Sequence, residues 1–197
     1  MQASDYKLAT TLPIDRLERK LELNGIIFSL RRLQLNMQAQ TQSNWCWAAT
    51  STSVNRFYFT STWTQCRVAN AELGLSGCCN SPVPSACNVP WYLDRALTRT
   101  GNFVSMEGPI SFDRVKAEID AGRPVGVRVG WSGGGGHFLI IEGYSRVGAS
   151  TFFDLDDPIY GESTLTVDDF STNYQGSGKN RIVRLNTDGS IDTSFFI

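Results

Sequence analysis

The sequence predicts an α+β fold in two lobes, and three observations carry that prediction. Apolar residues recur at helical spacing in most of the first half of the chain. From residue 125 onward the period falls to two, with β-branched and aromatic residues between turn signals. The 197 residues are 41% hydrophobic and 19% charged, which is apolar enough for a packed core and not the composition of a disordered segment. Helices gathered in one half and strands in the other make an α+β chain, and a cleft between two such lobes is where a small-molecule or peptide site forms.

The elements follow in order. Residues 12–23 (LPIDRLERKLEL) place Leu12, Ile14, Leu17 and Leu21 near one helical face, with Pro13 in a tolerated first-turn position and Gly25 as the stop. Residues 26–40 read as an extended or irregular connector. This leading segment, residues 1–35, is separable from a domain at 36–197; it is read either as a propeptide that folds over the cleft and restrains activity or as a plain structural extension. Ser43 or Asn44 can cap a helix over 45–58 that carries Trp47, Val54, Phe57 and Tyr58 toward a core. A short helix is expected at 65–73, and another at 90–99, capped by Asn88 and stopped by Gly101. Ser111 caps 112–121, with Phe112, Val115 and Ile119 on one face, before Gly122 and Pro124 end it. Strands then follow at 125–131, 137–144, 150–155, 163–167, 181–186 and 191–197. The helical lobe is thus 36–121 and the β lobe 122–197.

Charge excludes some partners. Lys plus Arg number 18 against 19 for Asp plus Glu, a net charge of −1, whereas a nucleic-acid binder shows a basic stripe. No run of about 18 apolar residues is present to span a membrane. Residues 1–11 (MQASDYKLATT) lack the basic start and apolar stretch of a signal peptide.

Five cysteines stand at 46, 66, 78, 79 and 87. An odd count suggests two bridges and one free, reactive thiol. Adjacent Cys78 and Cys79 are poor partners for each other, because bridge geometry strains a vicinal pair. Cys66–Cys78 with Cys79–Cys87, or Cys66–Cys79 with Cys78–Cys87, both remain open. A zinc site fits less well, since no Cys-x-x-Cys spacing occurs and neighbouring ligands are awkward for a tetrahedron. Bridges imply a protein that works outside a reducing cytosol, secreted or exported.

Cys46 lies in the first turn of a predicted helix, where unpaired N–H groups and the helix dipole favour a thiolate. A nucleophilic thiol needs a base, and the chain has one histidine, His137, which follows four glycines and opens an apolar strand. The pair spans the helical and β halves, which puts it at the interlobe cleft. An acid must hold the imidazole tautomer, and Asp157, at the end of the next strand with Pro158 fixing the turn, suits that role. Asp154 and Asp156 compete, but strand alternation turns Asp156 away from the face of Asp157. For the oxyanion, the Cys46 N–H and the Gln40 amide are donors, with Gln38 and Gln42 as decoys in the same tract. Trp45, Trp47, Trp131 and Gly136 are candidates to line a substrate cleft, although packing is the simpler explanation of the tryptophans. A phosphate cradle at Gly133–Gly136 lacks the helix with Lys-Ser/Thr that such a loop needs.

The run Gln40-x5-Cys46-Trp47-Ala48-Ala49, with Gly136-His137-Phe138 and Asp157-Pro158, resembles the papain-like cysteine proteases. It is most similar to the compact bacterial group typified by an avirulence effector that cleaves a plant host protein. Gln65-Cys66, Cys78-Cys79-Asn80 and Cys87-Asn88 share that likeness. The resemblance covers about residues 36–175. It implies a helical left lobe, an antiparallel β-barrel-like right lobe and a Cys–His ion pair between them. It further implies Cys46 as nucleophile, His137 as general base and acid, Asp157 as orienter and Gln40 as oxyanion donor, acting on a polypeptide with no metal or organic cofactor. The sequence departs from papain proper in its Gln-Thr-Gln-Ser-Asn-Trp-Cys-Trp run, where Ser43 replaces the upstream bridge cysteine, so papain's substrate pockets are not carried over. Whether Ile159 or Tyr160 packs on the site is open. Deamidation or transamidation by the same three residues is the competing enzymatic reading, and a silent interaction module is the non-enzymatic one.

Overall fold

A computed structural model describes residues 19–23, 26–59, 63–176 and 181–182. Two strands open the chain, β1 (Arg19–Leu23) and β2 (Ile26–Arg32). Three helices follow, α1 (Cys46–Tyr58), α2 (Gln65–Leu73) and α3 (Leu93–Arg99). After α4 (Phe112–Asp120) come β3 (Val125–Gly130), β4 (Gly136–Val147), β5 (Ser150–Asp157) and β6 (Gly161–Thr166). Helix α5 (Val167–Asn173) and a two-residue strand β7 (Arg181–Ile182) complete the described residues.

All strand pairs are antiparallel, in the order β1-β2-β4-β3-β7 with β5 and β6 beside β4. Twelve-residue β4 holds the sheet together. Its first half pairs with β3, its second half with β2, and β5 runs along its other edge, shifting register between Ile141 and Gly143. Such a shift bends and twists a strand. The fold is therefore mixed helix and sheet as expected, but the sheet stays open and is not the barrel-like body that the family resemblance implied.

The segment before residue 36 also departs from its reading. Residues 19–23, expected to be helical, form a strand; the rest of the expected helix lies outside the described residues. The apolar spacing at Leu17 and Leu21 fits two periods, and Asn-Gly at 24–25 is a hairpin signal that outweighs it. Residues 28–32 pair with 143–147 of β4, and Leu33 and Leu35 are buried. That part of the supposed leader is a piece of the sheet and core, which leaves any restraint of the cleft to residues before it, largely outside the described residues.

Three apolar clusters form, and α1 contributes to each. Trp45, Trp47, Ala48, Val68, Ala69, Cys78, Cys87 and Ala96 pack the helices together. Ile119, Val129, Leu139, Ile141, Tyr144, Phe153, Leu155 and Phe170 fill the space between the sheet, α4 and α5. Val54 of α1 meets Ile140 of β4 and Leu35 in the third, and Phe57 packs against both this cluster and the one between the sheet and α4. Local signals hold where the cap is local: Thr64 and Ser111 accept from the N–H of Arg67 and Arg114 at the starts of α2 and α4. They fail where the polar side chain has a distant partner. α1 starts at Cys46 with no side-chain cap, because Asn44 donates to the Asn88 carbonyl and Ser43 accepts from the Asn88 amide. Asn88 in turn does not cap α3, which starts only at Leu93. Tyr58 is exposed rather than in the core.

Cys66 pairs with Cys79 and Cys78 with Cys87, leaving Cys46 free. The second bridge fixes the strand of chain against which the approach to α1 lies. The Trp45 indole donates to the Cys87 carbonyl at 2.7 Å, the Trp47 indole to Val89, and the Asn44 N–H to Asn88. A Cys78→Ala, Cys87→Ala protein is thus expected to lose about 2–4 kcal/mol of stability, read as a lowered melting temperature. It should also lose whatever activity depends on Cys46, because the loop before that residue loses its support. Unchanged melting and activity would contradict this role for the bridge.

Candidate active site

Cys46 is the first residue of α1, half-buried, with its thiol unbridged. Its N–H is one of the donors that a helix start leaves without an intrahelical partner. His137 enters from the opposite side, at the beginning of β4. The loop that delivers it is a tight hairpin: Gly134 and Gly135 have φ of 92° and 79°, a region that side chains resist, and the Gly134 N–H closes on the Trp131 carbonyl at 3.0 Å. Asp157 is the last residue of β5, the strand paired to β4, so the start of one strand and the end of the other lie side by side.

His137 and Asp157 meet. The Nε2 atom lies 2.9 Å from both carboxylate oxygens, and the two side chains are almost wholly buried. The other ring nitrogen, Nδ1, is left for the Cys46 thiol, whose influence reaches the imidazole. Burial alone would depress the His137 pKa, but the bond to Asp157, the influence of the Cys46 sulfur and the charges of both raise it to about 9. Burial would likewise raise the Asp157 pKa. The His137 bond and charge, with the N–H groups of Tyr160 and Ile159, instead hold it below the usual carboxylate value. The arrangement keeps an imidazolium beside a sulfur at neutral pH, which is what a thiol nucleophile needs.

Three quarters of the chain, residues 28–175, match the family described as papain-like cysteine protease AvrRpt2. The chain belongs to that family. It is a cysteine peptidase, a hydrolase. A second, short match, to a β-propeller domain of unknown function, covers residues 169–195 only. Comparison with curated proteins and with solved structures found no match.

The other residues singled out in this AvrRpt2-family protein are dispersed. Asp156 accepts from the Met37 N–H and Asp154 from the Thr164 hydroxyl, so neither faces His137. Trp45 and Trp47 are fully buried and hydrogen-bonded, which makes them core and leaves no surface for a substrate. Trp131 does flank the site, its ring stacked on the imidazole with centroids 6.0 Å apart. Of the two residues after Pro158, Tyr160 packs against His137, edge-on at 6.1 Å. Gln40 donates from Nε2 to the carbonyls of Gln42 and Ser43, both at 2.9 Å, while its N–H reaches the Pro158 carbonyl beside Asp157. Its side chain braces the loop before Cys46.

The roles of two residues near the site were not read from the sequence. The Tyr174 hydroxyl, buried, donates to Asp157 Oδ2 at 2.7 Å, and its ring lies parallel to Trp131. A signal for it existed: Thr166 and Asp169 have the spacing of a capping box, marking the helix whose end carries Tyr174. Gln65 accepts from Thr41 and donates to the Ala39 carbonyl, clamping the backbone on both sides of Gln40. Among the described residues, one carboxylate group, Glu142, Asp156 and Glu162, has the spacing to hold a cation. Arg32 already bridges Glu142 and Glu162 at 2.6 Å each.

Proposed function

We propose that this protein is an endopeptidase that cuts polypeptides through Cys46, His137 and Asp157 in a cleft between a helical lobe and a β lobe. The observation that carries the reading is the single histidine, bonded through Nε2 to a buried aspartate, with its other nitrogen left for the free thiol of Cys46, which helps to raise its pKa. The Cys46 thiolate attacks the scissile carbonyl carbon, and the N–H of Cys46 receives the developing oxyanion. Gln40 joins it by turning one amide N–H away from the loop carbonyls. The His137 imidazolium gives its Nδ1 proton to the leaving amine as the C–N bond breaks, leaving a thioester. Neutral His137 then takes a proton from water, whose oxygen attacks the thioester; the sulfur leaves and the acid product departs. Asp157 stays ionised throughout and holds the ring. Two disulfides suit a secreted or exported enzyme.

The test is the product. A quenched peptide library incubated with the protein should yield broken chains, each cleavage adding one water. A mass gain of about one dalton on glutamine without a chain break would instead identify deamidation by the same thiol chemistry.

A further inference from the structure

Arg128 sits in the middle of β3 in an otherwise uncharged run (VGVRVG) and takes no part in the chemistry above. Its register partner is Phe138, so it leaves the sheet on the face of Phe138, which packs against the helical core, and away from the face of its neighbour Val129, which packs under α4. The guanidinium does not run out to solvent. It lies across Gly136, where a Cβ would come within 2.7 Å of Cζ and Nη2. Gly136 has no need of glycine for its own backbone conformation; the space is taken by Arg128, one residue before His137.

This cation is unlike the paired arginines. Arg32, Arg99, Arg114, Arg123 and Arg146 each hold a carboxylate. Arg128 is half-buried and has no carboxylate, hydrogen bond or ring partner among the described residues. Burial lowers its pKa, and the one charge that offsets this is that of Cys46. Partly desolvating a guanidinium with no anion is unfavourable, and its planar fork matches a carboxylate in two parallel bonds. The imbalance grows during the reaction. When Cys46 becomes a neutral thioester its charge is gone, while the guanidinium remains.

We propose that Arg128 is a substrate-binding residue whose guanidinium receives a carboxylate carried by the polypeptide next to the scissile bond. The carboxylate is an Asp or Glu side chain or a chain terminus. The assignment rests on Cys46 and His137 being the reacting pair, since the packing of Arg128 on Gly136, the residue before His137, and the reach of the Cys46 charge to its guanidinium are what place the carboxylate near the cut bond.

Peptides found to be cleaved would be remade with Glu or Gln at each of two positions on either side of the bond. A second arm would end the peptide just beyond the bond as a free acid or an amide. In the wild-type protein one position should favour the acidic form by about 10- to 100-fold in kcat/KM, as expected of a charge-assisted pair, and the arm in which it appears identifies the source. Arg128→Met should bring that ratio to about one, and Arg128→Lys should reduce it several-fold, because an ammonium cannot pair bidentately. The ratio is taken within each variant, so partial loss of folded protein cancels. Equal rates for every acidic and neutral pair in the wild type, or a preference that survives Arg128→Met, would overturn the assignment while leaving Cys46-dependent cleavage in place. Cleavage that persists after Cys46 is alkylated would defeat the thiol-protease reading and this assignment with it.

Discussion

Alanine in place of Cys46 is expected to abolish peptide cleavage, by at least about 10⁴-fold in kcat, while the protein melts within about 1 kcal/mol of the wild type. The two halves of that expectation have separate causes. Activity disappears because the sulfur forms the bond to the acyl group, and nothing else beside His137 can do so. Stability survives because Cys46 is half-buried at the first position of α1, makes no bridge and lies outside the apolar cores. Alanine is also the best helix former there. Serine should fail almost as completely, since an imidazole whose conjugate acid has a pKa of about 9 takes a proton from a thiol far more readily than from a hydroxyl. A covalent thiol-protease probe should label the wild type at Cys46 alone and leave Cys46→Ala unlabelled. Substantial turnover by Cys46→Ala would remove the basis for the mechanism.

How far the sequence spoke depended on whether the deciding interaction was local. Helices α2 and α4 were legible because Thr64 and Ser111 cap within three residues, and strands β3 to β6 were legible because one face of each meets apolar neighbours. The start of α1 and of α3 misled, because Ser43, Asn44 and Asn88 satisfy one another across more than forty residues and so cap nothing. At residues 19–23 the helical period was present but short, and the Asn-Gly that follows is a stronger determinant than four leucine-type positions. The closure of the sheet was beyond reach: whether the outer edges of β1, β6 and β7 find partners is a matter of long-range geometry, on which alternation is silent.

The site was more legible than the fold around it, for a chemical reason. A chain with one histidine and one cysteine outside a cluster allows few thiol–imidazole pairs, so composition nearly dictated Cys46 and His137. Strand alternation then separated Asp157 from Asp156. What could not be read was the layer behind these groups. Tyr174 and Gln65 carry ordinary side chains that become informative only when a buried oxygen or an unbonded N–H is seen opposite them. Trp45 and Trp47 were ambiguous for the converse reason, since an indole beside a nucleophile lines a groove or fills a core with the same sequence signature.

Removing the Asp157 carboxylate should have the second largest effect, on rate and stability together. Asp157→Ala strips the partner from His137 and removes the acceptor shared by the Tyr174 hydroxyl and the N–H groups of Ile159 and Tyr160. Breaking such a pair from one side costs about 3–5 kcal/mol, and loss of an oriented imidazole should lower kcat by about 10²- to 10⁴-fold. The stability difference between wild type and variant should itself vary with pH. His137 is raised above its ordinary 6.5, so its contribution is complete below that value and is lost as pH climbs through about 9. Asp157 is held below its ordinary 3.8, so its contribution is present above that value and is lost as pH falls through the depressed one. The gap should therefore be widest between about pH 4 and 6.5 and narrow toward pH 9. In the wild type, kcat should decline above about pH 9 as the imidazolium is lost; in Asp157→Ala that decline should begin at lower pH, because a principal cause of the raised value is gone. Tyr174→Phe removes only one of the donors to the same carboxylate and should cost about 1 kcal/mol, with a small fall in kcat and no change in KM. A flat pH difference, or a Tyr174→Phe loss as deep as that of Asp157→Ala, would mean that the carboxylate does not act through the imidazole.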